Sequence, residues 1–406
     1  MKRLMILGAS VLQIPAIVEA KNLGLYVIAV DMNPNAEGFS YADKKIVVST
    51  TDTEKVLEEA KKNKIDGIIT IASDRPMTTV AKVAKELDLI GIDEKTAINA
   101  TNKSKMRDAL KAYGVPIPMY FSIEDYDQYI KAIDNLRNKK YKCIVKPADN
   151  SGSRGIRLVE NYDIDQLKKI YDYCKKNSNS GKLVVEEYMQ GSEVSVETIS
   201  RNGTCNVIQI TDKLTTGAPY FVEMGHNQPS QLPIDIIEKI KKVAIDANKA
   251  VGIENGPSHT EIKVTKDGPK IVELGARLGG DNITTHLVPY STGINMVEAS
   301  IKIALGEDVD ITKKINMASA ARYKKCDIGK IIEISGIDEA REVSGIKDIK
   351  IVHKAGDYSN VIKSSNDRVC YVISQENSVK KAIESCEKAL EKIKVKVQKS
   401  KGNYDI

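Results

Sequence analysis

From Arg3 to about residue 95 the chain alternates two kinds of apolar pattern. RLMILGA (3–9), YVIAVD (26–31) and IDGIITIA (65–72) are short, nearly continuous apolar runs, while residues 12–23, 53–63 and 76–87 carry their apolar residues at helical spacing. A continuous apolar run is a strand covered on both faces, and strands alternating with helices at this spacing form a parallel sheet wrapped by helices. Ligands of such sheets collect beyond the carboxyl ends of the strands. Those ends carry Gly8-Ala9-Ser10, Asp31-Met32-Asn33 and Ser73-Asp74-Arg75. Gly8 with Asp31 matches part of a dinucleotide fingerprint, but Ser10 and Gln13 stand where its further glycines would be. A tight glycine turn between strand and helix is the favoured reading.

At 406 residues the chain has room for two to four domains. Its 42% hydrophobic and 29% charged residues are those of an ordinary globular protein. No apolar run approaches the roughly 20 residues that span a bilayer, so no membrane partner is expected. The opening MKRLMILGAS has too short an apolar stretch for a signal peptide and reads as a first strand. The six cysteines include no CxxC pair, which points to reduced thiols in a cytoplasmic protein. Four scattered histidines argue against a zinc site, and no Trp with only three Phe leaves no stacking platform for nucleic acid.

Beyond Thr101 the pattern changes. The stretch 102–114 is a helix closed by Gly114, with Pro116 just past it. Strand KCIVKPAD (142–149), loop NSGSRG (150–155), strand 156–160, a helix over 163–177 and strand KLVVEEYM (182–189) follow. A hairpin turns on Arg201-Asn202-Gly203. The helix over 233–251 has Ile236, Ile240, Val243, Ala247 and Ala250 on one stripe. A strand pair over 258–275, a helix near 293–305 and a last segment of short strands with a helix over 377–392 complete the reading; the final eight residues, KSKGNYDI, read as a frayed tail.

The strand pair holds the chemistry. A three-residue loop, Lys266-Asp267-Gly268, with Gly268 left-handed, pairs residue 265 with 269 and brings Glu261 opposite Glu273. Ile262, Val264, Val272 and Leu274 then share one face, and His259, Glu261, Glu273 and Gly275 the other. Facing like charges destabilise a sheet. A divalent cation between them offsets that cost, since Mg²⁺ is held by one or two carboxylates together with substrate phosphates; a solvated polar face is the bland alternative. Lys146 closes an apolar strand, where a lysine wants an anion. The loop at 150–155 offers backbone N–H groups with Ser151 and Ser153 as further donors, although it is not a Walker loop. The backbone at Met189 can meet a purine edge, and Glu193 can accept from ribose hydroxyls.

Lys103, VKPADNSGSRG (145–155), VVEEYMQGSE (184–193), Glu261 and VELGAR (272–277), in this order, resemble the ATP-grasp superfamily. The likeness is nearest to its carboxylate–amine ligases, in particular bacterial L-amino-acid ligases. The two ends of the chain are also similar to glycinamide ribonucleotide synthetase and biotin carboxylase. The resemblance implies an α/β and α+β chain with the ATP-grasp fold: a pre-ATP-grasp parallel-sheet domain over 1–95, an ATP-grasp domain over 96–315 with a mobile lid over 117–188, and a small α+β part over 316–406. It implies ATP held by Lys103, Lys146, Gly152, Ser153, Gly155, Glu186, Met189 and Glu193. Mg²⁺, or Mn²⁺ in its place, would sit on Glu261 and Glu273, and Arg277 would hold the carboxylate under attack. Arg322 would meet a second carboxylate or phosphate. Arg75, Glu223, His226 and His259 are candidates for substrate contacts. The implied activity is amide formation, dipeptides included, from a small carboxylate and an amine through an acyl phosphate, in a cytoplasmic homodimer. A carboxylase- or ribonucleotide-type enzyme and a non-catalytic nucleotide binder are the alternatives. Many family members have Asn two residues after the second glutamate; Gly275 stands there in this chain.

Overall fold

The computed structural model describes residues 1–399, so all but the first of the eight residues read as a tail lie outside it. The described chain gathers into two compact units, the first made of residues 1–210, 232–285 and 294–312, the second of 211–231, 286–293 and the described residues from 313 onward.

The first unit opens with a four-stranded parallel sheet in the order Lys44–Val47, Tyr26–Asp31, Arg3–Leu7, Gly67–Ile69. Three of these strands follow the apolar runs; Lys44–Val47 was not anticipated, because only Ile46 of its four residues is buried. Gly8 turns at φ 103°, and the Asp31 carboxylate accepts from the Ala9 N–H at 2.8 Å. Asp31 therefore ties one strand end to the next. The buried Gln13 accepts from the Ile71 N–H at 2.9 Å and donates to the Ile71 carbonyl, and Thr70 donates to the Leu7 carbonyl at 2.8 Å. The loop after the last parallel strand is thereby fixed to the first strand and its turn.

A second sheet, antiparallel and four-stranded, runs Tyr120–Ile123, Leu183–Glu187, Cys143–Pro147, Arg157–Val159. Helices Tyr126–Asn138 and Ile164–Lys176 cover it, capped by Asp125 and Asp163, with Tyr129, Ile133, Leu136, Leu167 and Tyr171 in its core. The helix Tyr126–Asn138 and the strand Tyr120–Ile123 were missed. The helix has a legible signal in Tyr126, Tyr129, Ile130, Ile133 and Leu136 behind a capping aspartate.

The third layer of this unit is Ser192–Arg201, Gly256–Thr265 and Gly268–Gly275, side by side and antiparallel. The turn after Arg201 has Asn202 and Gly203 at φ 48° and 76°, the left-handed pair of a tight hairpin. Helix Ile234–Val251 lays Ile240, Val243, Ala244 and Ala247 on this layer, and helix Lys103–Ala112 adds Met106 and Leu110.

The hairpin from Ser258 to Gly275 corrects the expected register. Its turn has two residues, pairing Thr265 with Gly268, and the strands run opposite one another down to Ile262 and Ile271. A bulge at Val272 then shifts the ladder by one residue, so Glu261 does face Glu273. The apolar face is accordingly Ile262, Ile271 and Leu274, all fully buried, and Val272 is not part of that core.

In the second unit the end of strand Thr204–Thr215 pairs with Glu223–Gln228, followed by Ala318–Lys324, Cys370–Glu376 and Ile346–Ile351. Helix Val379–Lys392 packs on these strands through Ala382, Cys386 and Ala389. Gly329–Ser335 pairs with Tyr358–Ser359 and Lys394–Gln398 in a separate small sheet. Among the described residues no helix is long and apolar enough to cross a membrane.

Gly191, between Leu183–Glu187 and Ser192–Arg201, stands at φ 136°, and a Cβ there would lie 1.9 Å from the Val264 carbonyl oxygen. Gly191→Ala is expected to lose about 2 kcal/mol or more of stability in urea unfolding, since backbone strain and a backbone clash add. A loss below about 0.5 kcal/mol would show that this turn relaxes freely.

Candidate active site

Helix Lys103–Ala112 begins at Asn102, whose side chain accepts from the Lys105 N–H. Lys103 and Arg107 lie one turn apart on its buried face, with Met106 and Leu110. Lys103 Nζ donates to the Asn150 carbonyl at 2.6 Å and stands 3.2 Å from Glu273 Oε2. Arg107 Nε donates to Glu186 Oε1 at 2.6 Å, and its Nη2 to the Val272 carbonyl at 2.7 Å, the carbonyl that the bulge displaces. Lys146 Nζ is 2.8 Å from Glu186 Oε2. Arg107 and Glu186 are each 1% exposed and Lys146 5%. Burial would raise the Glu186 carboxyl, but Arg107 and Lys146 outweigh it and hold it down at about 2. Glu186 is thus the centre of a buried ion triad. Lys146 does more than close a strand, because removing it strips a partner from a buried carboxylate.

The facing carboxylates Glu261 and Glu273 are partly exposed, at 24% and 26% of their side chains. Each has a cation beside it: Lys103 for Glu273, and for Glu261 the His259 Nε2 at 3.5 Å. The other ring nitrogen of His259 lies 2.5 Å from the fully buried Glu197, its cross-strand neighbour. Burial lowers the tendency of this imidazole to protonate, but Glu197 and Glu261 outweigh it and raise it to about 9. A Cβ at Gly279 would lie 2.6 Å from His259 Nδ1, so the glycine leaves room for the ring. Glu193 faces Lys263 across the strands at 2.9 Å.

Arg277 is held by Asp74, with Nε and Nη2 donating to the two carboxylate oxygens at 2.8 and 3.0 Å; Nη1 donates to the Leu278 carbonyl at 3.1 Å. Burial opposes both charges, but the pair lowers the Asp74 carboxyl and raises the Arg277 guanidinium. A cavity of about 340 Å³ opens beside them, lined among others by Thr51, Asp74, Arg75, Lys103, Ser151 and Glu273. The loop that supplies Ser151 has Gly152, Ser153 and Gly155 at φ 66°, 58° and 79°. Three left-handed residues in four make this a tightly turned segment.

The first unit thus brings Lys103, Glu273, Glu261 and His259 together in one chain of contacts, joins Lys146 and Glu186 to the Lys103 helix through Arg107, and pairs Arg277 with Asp74 on the cavity wall that Arg75 shares. The second unit brings Glu223, His226 and Arg322 together on neighbouring strands. His226 pairs with Ala321 and Gly225 with Arg322, whose Nη1 donates to the His226 carbonyl at 3.3 Å. A Cβ at Gly225 would meet that Nη1 at 2.9 Å. Burial alone lowers the Arg322 guanidinium below its usual range. Glu223 lies 3.4 Å from Lys213. Sequence reasoning missed Arg107 and Glu197 and left Asp74 without a role. Arg107 is legible as the charged residue one turn after Lys103; Glu197 gives no sign beyond an acid inside the strand SEVSVETIS.

The residues fit a divalent cation and a nucleotide. Among the described residues no three His, Cys, Asp or Glu side chains form a closed metal site. Two facing carboxylates with Lys103 beside one of them are instead a set that phosphate oxygens would complete around Mg²⁺.

The chain is similar to known proteins in sequence and in fold. Residues 139–285 match the family model of the ATP-grasp domain, and residues 326–398 that of L-amino acid ligase C-terminal domain 2. The uncharacterized protein y4rH of Sinorhizobium fredii is 28% identical over 388 residues, covering 92% of this chain and 78% of that one. An L-arginine-specific L-amino acid ligase of Bacillus subtilis is 25% identical over 340 residues, 80% of this chain and 79% of that one. The crystal structure of an L-amino acid ligase from Bacillus licheniformis has the same fold, with a TM-score of 0.84 at 22% identity over 98% of this chain and 99% of that one.

The ion triad sets a pH dependence. With its carboxyl held at about 2, Glu186 stabilises the fold fully above its ordinary value near 4.5, and that contribution fades as the pH falls towards 2. Glu186→Ala leaves two cations buried together and is expected to cost about 3 kcal/mol or more at pH 7. Denaturant unfolding at several pH values should show the deficit shrinking between about pH 4.5 and 2. A deficit independent of pH would mean that Glu186 acts by packing alone.

Proposed function

For a chain that carries an ATP-grasp domain followed by an L-amino acid ligase C-terminal domain, we propose an ATP-dependent carboxylate–amine ligase. It joins a small carboxylate, an L-amino acid by likeness to the relatives, to an amine through an acyl phosphate, releasing ADP and phosphate. The observation that carries the reading is the pairing of Glu261 with Glu273 beside Lys103, facing a cavity that Asp74 of the Arg277 pair also lines.

A carboxylate is a poor electrophile until its oxygen becomes a leaving group. Lys103 and Lys146 supply fixed positive charge where phosphates would lie, and phosphoryl transfer is stabilised chiefly by such positioning and charge. Glu261 and Glu273 would hold Mg²⁺, which supplies neutralisation of phosphate charge. Arg277 binds the carboxylate and stabilises charge on the acyl phosphate that the amine attacks. The loop with Gly152, Ser153 and Gly155 closes over the phosphates with the strands of its sheet as a lid, excluding the water that would hydrolyse the intermediate. Met189 and Glu193 belong to the same reading as base and ribose contacts. Glu223, His226 and Arg322 are proposed for substrate, and Mn²⁺ is proposed to replace Mg²⁺. A reducing cytoplasm suits the six free cysteines; the proposed homodimer is testable by sedimentation.

The reading is tested with pairs of L-amino acids, ATP and Mg²⁺. ADP should be released, hydroxylamine should trap an acyl hydroxamate, and mass spectrometry should find a dipeptide. Arg277→Ala should keep nucleotide affinity within about threefold while product formation falls roughly 10²- to 10³-fold. Limited proteolysis near Arg154 should be slowed by ATP. Absence of ADP and hydroxamate with every amino acid offered, or parental product rates from Arg277→Ala, would overturn the ligase.

A further inference from the structure

Asp74 has no part in the resemblance, yet its carboxylate is the partner of Arg277. It sits on the loop that Gln13 fixes through the backbone of Ile71, and that loop passes through Ala72 at φ 54°, a conformation costly for a residue with a Cβ. The Asp74 carbonyl then accepts from the Met77 N–H at 3.1 Å, where helix Met77–Glu86 starts. The carboxylate is therefore presented from a rigid support.

A guanidinium has five N–H donors. Asp74 takes one from Nε and one from Nη2, and the Leu278 carbonyl takes one from Nη1. One N–H on each Nη atom is left for a ligand oxygen, which is the number a bidentate carboxylate or phosphate contact uses. Glu273 and Glu261 also attract this guanidinium electrostatically, though less than Asp74 does.

Gly275 belongs to this arrangement. A Cβ at 275 would lie 2.8 Å from Asp74 Oδ1 and 3.2 Å from Arg277 Nε. The place where the resemblance would put an asparagine side chain is filled by the Asp74–Arg277 pair.

We propose that Asp74 is a positioning residue for the oxyanion contact: it holds Arg277 off Glu261 and Glu273 and reserves its two remaining Nη donors for the substrate carboxylate. The proposal rests on the ligase reading. Its test uses the full chain with Asp74→Asn and, as an approach from the other side that keeps both charges, Gly275→Ala. Crystal structures of parent and variants read the Arg277 side chain directly. Hydroxamate assays with the amino acid that the parent accepts read kcat and KM for carboxylate and for ATP. Each variant should displace the guanidinium and raise KM for the carboxylate about tenfold or more. It should lower kcat/KM about 10²-fold, as a misplacement near 1 Å does, with KM for ATP within about twofold. In an Arg277→Ala background Asp74→Asn should change kcat/KM less than twofold, because nothing is left for it to position. An unmoved guanidinium in both variants, or an equal loss from Asp74→Asn with and without Arg277, overturns the proposal. If the parent forms no hydroxamate, the ligase reading fails and with it the substrate contact, while a guanidinium that moves in the variants still shows that Asp74 holds Arg277 in place.

Discussion

A single buried guanidinium ties together the parts of the first unit on which the site depends. Arg107 extends from helix Lys103–Ala112 to Glu186 on one sheet and to the Val272 carbonyl on another strand. Through Glu186 it also fixes Lys146, and through its own helix it sets the position of Lys103, one turn away. Such a network holds only when every member is present, because the desolvation of each ion is offset by the others. The two lysines are thus held at fixed places with little freedom to seek other anions.

The facing glutamates extend the same logic. Their repulsion is a standing cost that the folded chain reduces locally, with Lys103 at one carboxylate and the His259–Glu197 pair at the other. Neither cation is bound so closely to both carboxylates that a divalent ion would be redundant. Charge is arranged in advance, which would lower the reorganisation that the proposed binding of phosphates needs.

The sequence shows best those features that depend on neighbours in the chain. The parallel strands, the helix with its Ile240 and Val243 stripe, the Asn202-Gly203 turn and the opposition of Glu261 to Glu273 follow from period, turn chemistry and alternation. The opposition was right for a partly wrong reason, since alternation specifies which residues share a face but not whether a loop residue or a bulge supplies the offset. Features built from distant residues were not legible. Asp74 meets Arg277 across 203 positions and Arg107 meets Glu186 across 79. Asp74 does not differ in local pattern from an exposed charge, and Arg107 is marked only by standing one turn after Lys103. The helix Tyr126–Asn138 is different, because its periodicity was there to be read.

The bulge at Val272 restricts how this hairpin can change over generations. Adding or deleting one residue in the turn Lys266-Asp267 would move Glu273 out of register with Glu261 and turn Ile271 away from its core. A second, compensating change would be needed at the bulge, which also positions the carbonyl that Arg107 uses. Surface turns generally accept insertions and deletions readily. This one is locked in length, so homologous chains are expected to vary its residue types while conserving its residue count.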